Sequence, residues 1–137
     1  MIDKPKIGII GGTGLMGRLY ESFFKRSGFK VLISAPNTEL TMEDCAKSVD
    51  VLVISVPIDK TTEVIKEYAP MVRKDGFVFD LTSFKIEPMQ ALAQYSKADY
   101  CGTHPIFGPG IKTFKNQTIV INPGKGEEWQ AWLEDLL

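Results

Sequence analysis

The chain has one histidine, His104, in the run Cys101-Gly-Thr-His-Pro-Ile-Phe-Gly-Pro-Gly110. An imidazole with an ordinary pKa of about 6.5 can take up or return a proton near neutral pH, so it is a candidate acid–base group. Pro105, Gly108 and Pro109 predict a stiff loop around the ring. Upstream, an apolar run ends in the polar cluster Asp80-Leu-Thr-Ser-Phe-Lys85. Both segments follow strand-like runs, so Ser83 and His104 are expected on the carboxyl edge of one sheet, where open α/β folds bind ligands. Ser83 has a second reading as the cap of a following helix, and Lys85 one as a solvated surface lysine.

A second chemical signal is Gly12-Thr13-Gly14-Leu15-Met16-Gly17. It follows a short apolar run at residues 6–10 and opens a stretch in which Leu15, Leu19, Phe23 and Phe24 recur at helical spacing. In that setting Gly12 is expected to form the tight turn. Gly14 would let the backbone approach a diphosphate, and Gly17 would let the helix pack on the strand. Unpaired N–H groups at the helix start would hold the negative charge. A turn without a ligand is the competing reading. Dinucleotide sites of this kind place an acidic residue about 20 positions on to accept the ribose 2′-OH. Here the stretch reads Ser34-Ala-Pro-Asn37, with no carboxylate before Glu39 and no local Arg or Lys. NAD and NADP both stay open, with Ser34 and Asn37 as the expected readers of the ribose.

These groups need elements to position them. Strands are predicted at residues 6–10, 30–34, 49–56, 76–81, 98–102 and 117–121. Helices are predicted at 15–27, 41–47, 58–69, 88–95 and 127–137. Thr41 is expected to cap the second helix, and Pro57 to open the third at its first position. The alternation predicts an α/β fold: a Rossmann-like, doubly wound, mostly parallel sheet with helices on both faces. The last helix carries an apolar stripe, Trp129, Trp132, Leu133, Leu136 and Leu137. It either docks on the sheet or is a face left for a partner domain.

Composition sets the bounds. At 137 residues the chain predicts one domain, residues 1–137, able to bury roughly two thirds of its unfolded surface. Its 44% hydrophobic and 24% charged content argues against disorder. With 16 basic and 17 acidic side chains it lacks the excess a nucleic-acid partner requires. No apolar run approaches the ~20 residues of a membrane span. The start has no secretory core, and Cys45 and Cys101 show neither CxxC nor zinc spacing. A reduced, cytoplasmic protein without a metal site is expected.

Gly11-Gly-Thr-Gly-Leu-Met-Gly17, Ser55-Val-Pro57, Asp80-Leu-Thr-Ser-Phe-Lys85 and His104-Pro-Ile-Phe-Gly-Pro109 occur in an order that resembles the prephenate and arogenate dehydrogenases, notably the dehydrogenase part of the T-protein type. The resemblance implies oxidative decarboxylation of prephenate, with hydride transfer to NAD or NADP, in tyrosine biosynthesis. It gives His104 the proton of the ring hydroxyl, places Ser83 beside it, and makes Ser55, Val56 and Pro57 a turn lining the cofactor. In this family a helical second domain follows, forms the homodimer and supplies an arginine for the small-molecule substrate's carboxylates. The 137 residues are therefore expected to be the cofactor-binding half, turning over substrate poorly alone and dimerising only with the second domain. Lys112 and Lys115 are the nearest cations in the His104 segment. Two alternatives are a stand-alone dinucleotide-binding module and a Rossmann oxidoreductase of the β-hydroxyacid or imine-reductase kind.

Overall fold

The computed structural model describes residues 2–137. Strands and helices alternate as β1 (Ile7–Ile10), α1 (Leu15–Arg26), β2 (Val31–Ser34), α2 (Met42–Ser48), β3 (Val51–Ile54), α3 (Ile58–Tyr68), β4 (Phe77–Asp80), α4 (Ile86–Tyr95), β5 (Asp99–Pro105), β6 (Ile119–Lys125) and α5 (Glu127–Leu136). A single 3-10 turn, Ala69–Met71, follows α3. The strands form one sheet in the order β2-β1-β3-β4-β5-β6. β1 to β5 are parallel, and β6 runs antiparallel to β5. The chain leaves β1 toward β2 on one side and then returns to β3 on the other. The connections therefore diverge between β1 and β3, and a crevice opens beyond their carboxyl ends. This is the expected Rossmann-like topology.

Strand periodicity feeds two cores. Ile7, Ile9, Val51, Val53, Phe77 and Phe79 pack with Tyr20 and Phe24 of α1 and Trp129 and Leu133 of α5. On the opposite face, Ile10, Leu52, Ile54 and Val78 pack with Cys45, Ala46, Ile65 and Leu92 from α2, α3 and α4. β1 and β3 are buried along their whole length, which explains their continuous apolar sequences. The C-terminal stripe docks on the sheet. Trp129 stacks on Phe77 with centroids 5.5 Å apart and 1° between the planes. Its indole N–H donates to the Asp75 carbonyl at 3.2 Å. Burying Trp129 and Leu133 contributes roughly 1.5–3 kcal/mol each. Among the described residues no helix is long and apolar enough to cross a membrane.

Local signals place most boundaries. The Thr41 hydroxyl accepts from the Asp44 N–H at 3.1 Å and caps α2. Gly28, just past the end of α1, has φ +93° and donates its N–H to the Lys25 carbonyl. Pro57 stands one position before the first helical residue of α3, as its N-cap. The main departure is β5. The sequence predicts a strand ending at 102 and a loop carrying His104, whereas β5 runs on to Pro105. The parallel ladder with β4 ends at Gly102, but β6 supplies the continuing pairs Thr103–Ile121, His104–Val120 and Pro105–Ile119. His104 therefore sits on a strand. β6 also runs through Pro123, which an edge strand tolerates because one side of it needs no donors.

Candidate active site

The turn from β1 into α1 is built by its glycines, though not quite as expected. The left-handed position is Gly11, with φ +87°, so Gly11 rather than Gly12 makes the tight turn. Gly12 is buried against Ile33 of β2, where a Cβ would stand 2.5 Å from the Ile33 Cβ. A Cβ on Gly17 would fall 2.8 Å from the Gly12 Cα and closer still to the Gly11 carbonyl oxygen. Gly14 differs. Its φ and ψ of −77° and 172° suit any residue, and the nearest protein atom to an added Cβ is 3.4 Å away. Nothing in the protein requires glycine there, but a Cβ would fill the space at the start of α1. That helix start has no side-chain cap and no acidic residue in its first turn. Its N–H groups and positive dipole end are thus available to an anion. The Arg18 Nε donates to the Thr13 carbonyl at 3.1 Å and adds a cation beside the turn.

Two cavities meet at Gly14. One, of about 440 Å³, is lined by Gly14, Leu15 and Met16, by Ser55, Val56 and Pro57, and by Thr82, Ser83 and His104. The other, of about 470 Å³, reaches from Thr13 and Gly14 past Ala35 and Pro36 to Met42, Lys60 and Val64. Gly14 and the Ser55–Val56–Pro57 turn line both. Together the cavities make one trough across the start of α1, at the reversal of strand order. Of the residues singled out from the sequence, Gly12 and Gly17 lie behind the trough as packing, and the others named here face it. Ser34 does not. Its side chain is fully buried and its hydroxyl donates to the Leu40 carbonyl at 2.7 Å, because the chain after β2 folds back and that carbonyl needs a donor. Asn37 is exposed on the same turn and outside both linings. Lys60, from α3, is a trough residue that sequence reading missed. It lies far from the β2 end in sequence, and only its place just after Pro57 in the helix signals it.

The cluster after β4 is held by an ion pair. Asp80 is fully buried, and its Oδ2 accepts from the Lys85 ammonium at 2.6 Å and from the Thr82 N–H at 3.3 Å. The Asp80 carbonyl accepts from the Thr103 hydroxyl at 2.6 Å, joining the end of β4 to β5 one residue before His104. Burial raises the Asp80 pKa despite the neighbouring ammonium, and burial lowers that of Lys85 despite the carboxylate. Gly102 makes room for this pair, since a Cβ there would stand 3.2 Å from the Lys85 Cδ. Lys85 is thus neither solvated nor in the cavity lining. α4 has no side-chain cap, so Ser83 is not its cap; it is exposed and faces the cavity. The Thr82 hydroxyl is buried with no protein partner beside the same cavity.

Among the described residues, no lysine or arginine lines the His104 cavity. Lys112 and Lys115 are exposed, and Lys115 lines a separate cleft with Phe23 and Arg26.

A trough of this kind, laid across the strand reversal and open to unpaired amides, defines a nucleotide-binding α/β domain. Residues 25–137 match the family model described as prephenate dehydrogenase, nucleotide-binding domain, and the chain belongs to that family. The matched region begins after the glycine turn, so that match does not rest on the turn. The chain is 33% identical over 142 residues to a probable arogenate/prephenate dehydrogenase of Methanocaldococcus jannaschii, covering 92% of this chain and 32% of that protein. It is 32% identical over 131 residues to the T-protein of Haemophilus influenzae, covering 96% of this chain and 35% of that protein. It spans about a third of the length of these curated relatives. The crystal structure of Synechocystis arogenate dehydrogenase superposes with a TM-score of 0.79 at 18% identity, covering 96% of this chain and 55% of that one, which shows the shared fold.

Proposed function

We propose that the trough holds a nicotinamide dinucleotide and that the domain serves the oxidation of prephenate or arogenate. One observation carries this reading: Ser83 and His104 line the same cavity as the open start of α1 and the Ser55–Val56–Pro57 turn. The diphosphate would lie on the amides after Gly14, in the space left by the missing Cβ. Adenosine would lie toward Ala35 and Pro36, and nicotinamide toward Ser83 and His104. A nicotinamide held there would supply the hydride acceptor for the oxidation.

The residues of this chain supply the rest. His104 accepts the proton of the substrate's ring hydroxyl as negative charge develops on that oxygen. With prephenate the ring carboxylate then leaves as CO2, and His104 returns the proton to the phenolate of the aromatic product. Ser83 donates a hydrogen bond in the same cavity and orients the reacting region. Prephenate is a dianion and the lining offers it no lysine or arginine, so further cationic groups must hold its carboxylates. The isolated 137 residues should turn it over poorly, for lack of orientation.

The single imidazole makes a direct test possible by NMR. In a titration with NAD+ or NADP+, the His104 ring resonances should shift in step with binding, and again when 4-hydroxyphenylpyruvate is added. Binding that leaves those resonances unmoved would refute a catalytic His104 and favour a stand-alone binding module. A folded chain that binds neither dinucleotide would refute the whole reading.

A further inference from the structure

We infer that the adenosine end of the trough selects a dinucleotide carrying a 2′-phosphate, with Lys60 as the selecting cation. This rests on the dinucleotide reading above and goes beyond it, since the sequence leaves the two cofactors unresolved.

A site for an unphosphorylated ribose needs an acceptor for the 2′-OH, and a carboxylate there repels a 2′-phosphate. Among the described residues, no carboxylate lines the adenosine cavity. Glu39, on the turn after β2, and Asp59, beside Lys60 in the first turn of α3, both lie outside it. The hydroxyls that might replace a carboxylate are already engaged. Ser34 donates to the Leu40 carbonyl at 2.7 Å, and Thr38 accepts from the Ala35 N–H at 3.0 Å while its hydroxyl lies 2.8 Å from the same Leu40 carbonyl. What remains toward Ala35 and Pro36 is mostly apolar surface and one charge, the Thr13 and Ser55 hydroxyls lying at the glycine-turn end of the lining. Among the described residues, Lys60 is the only charged side chain in the lining. Val64 stands one helical turn further on, on the same face of α3, and also lines the cavity. The Lys60 stem can therefore lie along the apolar wall with its ammonium at the mouth. A lone cation with no competing anion favours a phosphate over a hydroxyl.

The test is calorimetric titration of the chain with NAD+ and with NADP+, using wild type, Lys60→Gln and Lys60→Arg, at roughly 0.05 M and 0.5 M salt. NADP+ should bind about tenfold more tightly than NAD+ at low salt, with the preference shrinking at high salt. Lys60→Gln should reduce that preference to about twofold or less by weakening NADP+ more than NAD+, and Lys60→Arg should retain most of it. Equal or tighter binding of NAD+ by wild type would overturn the inference. So would a Lys60→Gln variant that weakens both ligands by the same factor or leaves their ratio intact. In those cases NAD+ still binds, and the dinucleotide reading survives. Failure of both ligands to bind a folded chain would sink that reading and this inference with it.

Discussion

Replacing Lys85 with methionine keeps a long apolar stem and removes the one charge opposite Asp80. Asp80 is fully buried, and the Lys85 side chain is only 16% exposed, so water cannot screen what is lost. The carboxylate would keep the Thr82 N–H as its one remaining hydrogen bond. Breaking a buried pair from one side costs roughly 3–5 kcal/mol. Protonation limits that cost. Holding a proton on a carboxyl group costs about 1.4 kcal/mol for each pH unit above its unfolded value near 3.9. The penalty is thus capped at about 4 kcal/mol at pH 7 and about 1.5 kcal/mol at pH 5. The sign follows from burial, which already raises the Asp80 pKa and in the variant would act without an ammonium to oppose it. A carboxyl whose pKa is raised on folding contributes most below its unfolded value, and that contribution fades as pH rises toward the folded value. The variant should therefore approach wild-type stability on acidification. Urea unfolding followed by fluorescence of Trp129, buried against Phe77, would measure this at several pH values. A second substitution, Asp80→Asn, should restore stability to within about 1 kcal/mol of wild type by removing the stranded charge. A loss from Lys85→Met that is the same at pH 5 and pH 8, or no recovery in the double variant, would refute the reasoning.

Three further outcomes are expected. Gly17→Ala should destabilise by roughly 1–3 kcal/mol, because its Cβ meets backbone that cannot move cheaply. Gly14→Ala should leave stability within about 0.5 kcal/mol yet weaken dinucleotide binding at least roughly tenfold; urea melts beside titrations separate the two, and equal destabilisation would contradict the assignment. Burial pushes the Cys45 thiol up to about 11 and the Cys101 thiol up to about 12. Neither should react with a disulfide reagent at pH 8 until denaturant is added, and a fast-reacting thiol in the native protein would count against the packing described for both cores.

The topology, the position of the glycine turn and the placing of Ser83 and His104 at one sheet edge were legible because each rests on local spacing or on the order of parallel strands. The rest depended on contacts between distant segments. Ser34 sits where a ribose reader belongs, but the backbone after β2 doubles back and takes its hydroxyl. Lys60 reaches the same region from α3, across the sheet crevice. His104 reads as a loop residue because Gly and Pro follow it, and only antiparallel pairing with β6 extends β5 that far. The Asp80–Lys85 contact lies within one short motif and could have been anticipated. An aspartate closing a strand buried on both faces needs a cation, and Lys85 is the next one along the chain.

The hairpin between β5 and β6 has a consequence for how the mouth of the site can vary. Its base is fastened where the Ile106 N–H donates to the Thr118 carbonyl at 2.8 Å, and His104 lies on the sheet side of that clasp. The intervening segment includes Phe107 and Pro109, which border the His104 cavity. Changes there can widen, narrow or recolour the entrance while the imidazole keeps its place on the ladder. On the function proposed above, selectivity among substrates and the proton-handling group would be mounted on separate parts of the scaffold, and the one could drift without disturbing the other.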